Sequence, residues 1–455
     1  MSFNCITAGG MLKFEYDRAE EKHFYGDDLT LNWWQLTHIE PTIVEIIKQA
    51  EAMAAEQHRE IDATSLYNQA KVLKAFKKVK ITDDCFNSNE GYGYHDLGRE
   101  KLEELFAQVF KGEDAIVRPH FVSGTHTIFS CFRGLLRPGD RLVSVTGQPY
   151  DTLFRAISGE STLLSEAEGT LREWGITYSN INLKDFSTPG QTSCRKLLQE
   201  PTRVVFIQRS RGYDPYRSAL TIQEIEKMVQ KIRRINSDLI IFIDNCYGEF
   251  VEKKEPLEAG ADVIAGSLIK NPGGGLAPAG GYIAGKKKYL DKISHAMTAP
   301  GLGKELGAFI HNKRLFFQGL FMAPHLTGEA LKGATTIAAA LESIGYEVEP
   351  RYNAKRGDIV QAVRLKSKKE LEKLCLAVQS SSPVNSHFTP VAGATAGYSD
   401  PVFMAAGTFV QGASSEFSAD APLREPFTVY IQGGLTYNHV ILGLASILEA
   451  IFEQD

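Results

Sequence analysis

A chain of 455 residues exceeds the roughly 250–300 at which one hydrophobic core divides, so two domains are expected. With 43% hydrophobic and 23% charged residues it is not a disordered or fibrous chain, and a net charge of −5 with both signs interspersed excludes a dedicated nucleic-acid or membrane-surface binder. Six cysteines (Cys5, Cys85, Cys131, Cys194, Cys246 and Cys375) stand apart, with no CxxC pair and no histidine cluster at ligand spacing; neither a disulfide framework nor a metal site is expected, and a reducing compartment is.

Residues 1–35 show no periodicity, and Trp33-Trp34 reads as the end of an arm that packs on something. Residues 41–75 carry a helical repeat, with Ile43, Ile46, Ile47 and Ala50 on one side. The lysines of KVLKAFKKVK (residues 71–80) alternate with apolar residues and read as a solvated face. Strands and helices then alternate. Residues 115–117 form a strand, Ser123 opens a helix, residues 141–145 follow a Pro-Gly-Asp turn, and residues 203–207 form another strand. Thr221 and Glu224 make a capping box. Residues 239–243 are a buried strand ending in Asp244, residues 263–264 lead to Lys270, and residues 281–284 form a further strand. Short strands separated by helices predict an α/β domain with a mostly parallel sheet covered on both faces. After about residue 328 a helix (334–343), a strand (359–365), a helix (368–379), two strand-like segments and a last helix predict a smaller α+β domain. The expected division is 1–85 (arm and helices), 86–330 (large domain) and 331–455 (small domain). No signal peptide is expected, and the most apolar stretch, residues 440–452, is too short to cross a bilayer. A soluble, cytoplasmic protein is the expectation.

Four segments put polar residues at strand ends, where open α/β sheets bind ligands. In FVSGTHT (121–127), Ser123, Gly124 and Thr125 begin a helix whose free N–H groups and dipole favour an anion, although an ordinary N-cap at Ser123 explains the segment taken alone. In QPYD (148–151), Tyr150 is placed to stack on a flat ring, or to fill core. Asp244, in IFIDNCY (241–247), is a carboxylate ending an apolar strand; it needs a partner such as a protonated pyridine nitrogen, or it caps the next turn. In GSLIKNPGGG (266–275), Lys270 precedes a glycine-rich turn that either approaches a ligand or simply bends. A partly desolvated amine beside a cationic cofactor has a lowered pKa and makes a nucleophile and base, and Ser267 can reach the same phosphate. Occurring together in this order, the four point to pyridoxal phosphate (PLP).

NEGYGYHDLGREKLE, HFVSGTHT, QPYDTL, QRSRGYDPYRS, IDNCYGEFVE and GSLIKNPGGGLAPAGGYIAG together resemble the Cys/Met-metabolism group of PLP enzymes of fold type I. Within it the chain is most similar to the methionine gamma-lyase-like, or aluminium-resistance, branch, from about residue 36 to the C-terminus. The resemblance implies the aspartate-aminotransferase-like fold, a homo-oligomer (a dimer or a dimer of dimers, hence a homotetramer) with active sites at the subunit interface, and an amino-acid substrate. It implies a carbon–sulfur lyase performing β- or γ-elimination on a sulfur amino acid such as methionine, cystathionine or cysteine. Lys270 resembles the Schiff-base lysine and base, Asp244 the ring-nitrogen partner and Tyr150 the stacking aromatic. Ser123, Gly124, Thr125 and Ser267 resemble the phosphate shell, and Tyr92 the tyrosine that reaches the neighbouring subunit's cofactor. Tyr150 or Tyr92 is the expected proton relay. Two positions depart from the family: Tyr94 and Tyr430 stand where relatives carry arginines, the second of them binding the substrate carboxylate. Arg424, Arg209, Arg211 and Arg217 are alternative carboxylate ligands, with Tyr247 beside them at the substrate. Two further readings share the cofactor: an aminotransferase, and a PLP-binding protein of reduced activity serving metal tolerance.

Overall fold

The computed structural model describes residues 6–7, 10–11, 32–159, 168–188, 192–199, 201–310, 312–394, 398 and 400–453. The apolar runs pair into a seven-stranded sheet: β1 (Asp114–Arg118), β2 (Arg141–Ser144), β3 (Thr177–Asn180), β4 (Thr202–Gln208), β5 (Ile240–Asp244), β6 (Val263–Ser267) and β7 (Gly281–Gly285), in the order β1-β7-β6-β5-β4-β2-β3. Neighbours from β6 through β5, β4 and β2 to β3 are parallel; β7 alone runs the other way, between β6 and β1. Both faces are covered, and the side chains alternate accordingly. Val205, Ile207, Ile241 and Ile243 enter one core, while Val204, Phe206, Ile240 and Phe242 enter another on the opposite face. The expected α/β class with a mostly parallel sheet is the observed one.

Helix α1 (Pro41–Val79) starts at a proline, which gives up no helical hydrogen bond there, and buries Val72, Ala75 and Val79 while turning its terminal lysines outward. Helix α2 (Leu97–Phe110) is capped by Asp96, whose carboxylate accepts from the Arg99 N–H; neither α2 nor α4 (Asp151–Ser158) nor α6 (Lys287–Met297) was expected from the periodicity. Helix α3 (Gly124–Leu135) is capped by Ser123, and α5 (Ile222–Ile235) carries the Thr221–Glu224 capping box. Helix α7 (Lys313–Ser343) runs beside α1, through residue 330.

The second sheet has five antiparallel strands: β8 (Glu347–Glu349), β9 (Gln361–Arg364), β10 (Val402–Ala405), β11 (Ser418–Pro422) and β12 (Thr428–Gln432), in the order β8-β9-β12-β11-β10. Helices α8 (Lys368–Ser380) and α9 (Tyr437–Phe452) cover one face of it. The apolar 440–452 stretch is thereby spent on this core: Val440, Leu444, Ile447 and Leu448 are buried. The first turns of α1 and the last turns of α7 pack into the same core, and Trp33 and Trp34 lie against it. Both long helices therefore span the two cores. Among the described residues no helix is long and apolar enough to cross a membrane.

Candidate active site

Because β4, β5 and β6 are parallel, their C-terminal ends, Gln208, Asp244 and Ser267, lie on one side of the sheet, and β7, reversed between β6 and β1, brings its N-terminal end to that side. A cavity of about 770 Å³ opens there, floored by those ends and roofed by the second sheet. Of the residues singled out from sequence, Ser123, Gly124, Thr125, Tyr150, Asp244, Tyr247, Ser267, Lys270, Arg211 and Arg424 all line it.

The anion end is the start of α3. The N–H groups of Gly124 and Thr125 lie in its first turn and have no acceptor within the helix. Ser123 Oγ accepts from the His126 N–H at 3.1 Å, so its cap role is real and coexists with any ligand role. A methyl added at Gly124 would stand 3.5 Å from Ser267 Cβ, which puts Ser267 directly across from this turn. Thr125 Oγ1 lies 3.1 Å from both the Tyr150 hydroxyl and Thr152 Oγ1. Burial first of all, then the charge of Asp244, pushes the Tyr150 phenol well above its ordinary pKa, so it is a proton donor at neutral pH.

Asp244 is buried, and burial raises its carboxyl, opposed by the Cys246 N–H that donates to Oδ1 at 3.0 Å and by the charges of Lys270 and Arg217. Lys270 reaches over Tyr247, its Nζ 3.7 Å from the ring centre. Sequence predicts a lowered amine pKa; the protein's own groups act the other way. Burial lowers it, but Tyr247, Cys246 and Asp244 together outweigh burial and hold the ammonium above its ordinary value. The lowering awaits a cationic ligand. Tyr247 itself is left-handed (φ 70°), a costly conformation for a tyrosine, and Asn271 Nδ2 clamps its carbonyl at 3.0 Å.

The glycine-rich turn serves a bend rather than a ligand. Gly273, Gly274 and Gly275 do not line the cavity; a methyl at Gly274 (φ 56°) would lie 2.0 Å from the Gly319 carbonyl of α7. They let the backbone after Lys270 touch a helix.

The arginines separate cleanly. Arg209 is withdrawn as a substrate ligand: it is fully buried off the cavity, donating to Leu220 O, Asn245 Oδ1, Gly248 O and Glu252 Oε1. Arg217 also lies off the lining and donates to the carbonyls of Thr146 and Ser210, its pKa lowered to about 10 by burial. Arg424 lines the mouth, paired with Asp400 at 2.9 Å. Arg211 is buried, donates to Glu349 O at 2.7 Å through one nitrogen, and keeps Nε and the other terminal nitrogen without a partner among the described residues. Its charge acts on the buried Tyr430 phenol.

Tyr92 lies outside the cavity. It is 72% exposed beside Tyr94, on a turn pinned by Arg99, which donates to the carbonyls of Gly93, Glu305 and Gly307. Sequence reading missed Gln208, Tyr213, Tyr398, Asp420 and Gln432, which also line the cavity. Gln208 Oε1 accepts from the Tyr150 N–H at 2.9 Å and fixes the start of α4. For Asp420 and Gln432 the signal was the polar–apolar alternation of Ser-Ala-Asp-Ala and Tyr-Ile-Gln.

The family model for methionine gamma-lyase matches residues 43–452. The uncharacterized protein YnbB of Bacillus subtilis is 43% identical over 420 residues, 92% of this chain and 99% of that protein. A carbon–sulfur lyase involved in aluminum resistance from Clostridium novyi superposes with a TM-score of 0.86 at 42% identity, covering 92% of this chain and 98% of that one. The L-methionine gamma-lyase of Pseudomonas deceptionensis is 25% identical over 250 residues, 54% of this chain and 56% of that enzyme.

Proposed function

This chain belongs to the methionine gamma-lyase family, whose enzymes use pyridoxal phosphate and act on amino acids, and from that premise we propose that it is a carbon–sulfur lyase with Lys270 as its base and Arg211 as its substrate-carboxylate ligand. The observation that carries the reading is one cavity holding Lys270, buried Asp244, Tyr150, the open start of α3 and a buried arginine with unpartnered nitrogens.

The donors fit the cofactor. Ser123, Gly124, Thr125 and Ser267 offer N–H and hydroxyl donors to its phosphate, Asp244 a carboxylate to its ring nitrogen, and Tyr150 a ring face. When bound, pyridoxal phosphate supplies the electron sink for charge developing at the substrate Cα. The rest falls to the chain. Arg211, with Nε and its second terminal nitrogen unpaired among the described residues, is assigned to the carboxylate, which a guanidinium favours holding at two points. Lys270 Nζ takes the Cα proton once the amine is neutral. Tyr150 Oη, still protonated at neutral pH and hydrogen-bonded to Thr125, gives a proton to the departing sulfur. Elimination releases a thiol, with a keto acid and ammonia following. The exposed tyrosine pair on its pinned turn supports Tyr92 acting on the cavity of a second copy in a homo-oligomer.

The test is an absorbance spectrum of the full chain incubated with pyridoxal phosphate, borohydride reduction with peptide mapping, and then a thiol assay across sulfur amino acids. A visible band lost on reduction, an adduct on Lys270 and thiol release without a second keto acid are expected. An adduct on another lysine, or turnover only when a keto acid is supplied, overturns it.

A further inference from the structure

Two loops carry the side chains that the proposed function sets on different parts of the bound molecules. The loop after β2 ends in Tyr150, which offers its ring to the cofactor, and the loop after β4 holds Arg211, which meets the carboxylate. Gln208, the last residue of β4, stands between them. It is buried, lines the cavity and lies beside Asp244 in the register of β4 and β5. Its side-chain amide is used at both ends. Oε1 accepts from the Tyr150 N–H at 2.9 Å, and Nε2 donates at 3.0 Å to the carbonyl of Ser210, the residue before Arg211. The Gln208 N–H donates to Thr146 Oγ1 at 3.1 Å, so the backbone from which the amide reaches is itself tied to the first loop.

The chain after Arg211 closes over this amide. Gly212 is left-handed (φ 61°), and a methyl there would stand 3.1 Å from Gln208 Nε2 and 3.5 Å from Tyr150 Cβ. A neutral amide answers both needs of the place, an acceptor for one N–H and a donor for one carbonyl, where a buried group without a partner is costly. Arg217 donates to the carbonyls of Thr146 and Ser210 and so clips the same two loops independently. Arg217 holds the loops together; the amide holds the two residues that face the ligands.

We propose that Gln208 is a positioning residue that sets Tyr150 and Arg211 at one spacing, so that a single side-chain amide places the cofactor ring and the substrate carboxylate against each other. The proposal rests on the roles given above to Tyr150 and Arg211, and not on which bond is cleaved.

The test uses pyridoxal phosphate and L-alanine, which has the amine and carboxylate of a substrate and no sulfur to release. Cofactor affinity is read by absorbance titration of the cofactor-free full chain, and alanine affinity from the change in the visible band of the loaded chain. Gln208→Met, of similar length and without an amide, is expected to weaken cofactor binding by about five- to a hundred-fold, the range for a buried donor left without a partner. Its alanine binding is expected to weaken by about two- to tenfold, because the Ser210 carbonyl keeps Arg217. Gln208→Glu separates the two ends: a carboxylate still accepts from the Tyr150 N–H, but only the protonated acid donates to Ser210. Its cofactor affinity is expected to match the wild type, while its alanine affinity falls below the wild-type value as the carboxyl ionises with rising pH. A general loosening of the fold would instead weaken both affinities in both variants. Wild-type alanine affinity in Gln208→Glu at pH 9, or a cofactor loss in it equal to that of Gln208→Met, overturns the proposal. So does a Gln208→Met protein that loses one affinity and keeps the other, and if that protein does not fold the Gln208→Glu series decides alone. Failure of the lyase reading appears separately, as absence of thiol release by the wild-type protein with these affinities unchanged.

Discussion

The floor and the roof of the cavity are built on different plans. The floor is made of strand ends and the turns that follow them: Asp244 closes β5, Ser267 closes β6, Lys270 follows within three residues, and Ser123 starts α3. Each is set by a few neighbouring residues and by the parallel order of the sheet. The roof is made of alternate side chains on antiparallel strands, Asp420 and Gln432, with Tyr213 and Arg211 arriving from the loop after β4. Their positions depend on how two sheets dock. In the proposed reading the difference separates two tasks: a floor that holds the cofactor and carries the proton chemistry, and a roof free to change with the substrate.

On that division a floor substitution removes chemistry and a roof substitution removes recognition. The largest effect is expected from Lys270→Ala, which deletes the base and the covalent anchor. A fall in kcat/KM of at least about 10³-fold is expected, with borohydride no longer fixing the cofactor to the chain. Residual activity near the wild-type level would mean that another group is the base and that the floor has been misread.

Arg211→Lys probes the roof. Lysine keeps the charge but offers a single point of contact in place of the planar fork. KM is expected to rise about ten- to a hundred-fold with kcat changed by only a few-fold, measured by steady-state kinetics on the sulfur amino acid that gives most thiol. A fall in kcat at constant KM would assign Arg211 to holding the loop through the Glu349 carbonyl, and would make it part of the floor.

The same division explains what could be read from sequence. Asp244 and Lys270 were legible because a charge that ends an apolar run is unusual by itself, and each follows one strand of a parallel pair. The start of α3 was legible from Ser123 and Gly124. The glycines after Lys270 were not: only the position of Gly319 on a distant helix shows that they meet backbone. Nor can sequence rank the arginines of QRSRGYDPYRS. Arg209 and Arg211 are two residues apart, yet one is saturated by carbonyls and side chains far along the chain while the other retains free donors. Asp420 alternates plainly with alanines, but alternation says only that two faces differ and leaves open which face meets a ligand.

The smallest expected effect lies beneath the floor, and it is one of stability alone. Two acids are buried behind β6. Glu255 has cations close by, Arg209 at 4.0 Å and Lys71 at 3.9 Å, as well as Asn245 and the Phe250 N–H. Among the described residues Glu249 has none; its Oε1 accepts from Tyr282 Oη at 2.9 Å, its Oε2 has no partner there, and burial above all pushes its pKa up from 4.5 to about 8. An acid whose folded pKa is raised binds a proton in the native state that the unfolded chain has lost. Its contribution is therefore neutral below the unfolded value, and stability is lost as pH rises from about 4.5 to about 8, then levels off. Glu249→Gln has no proton to lose, so its unfolding free energy is expected to gain on the wild type across that window by up to a few kcal/mol, with kcat and KM unchanged. Denaturant unfolding of both proteins from pH 5 to 9 reads the difference. Parallel curves would show Glu249 charged in the folded state, and a fall in kcat would show that the floor's chemistry extends one layer below the residues that line the cavity.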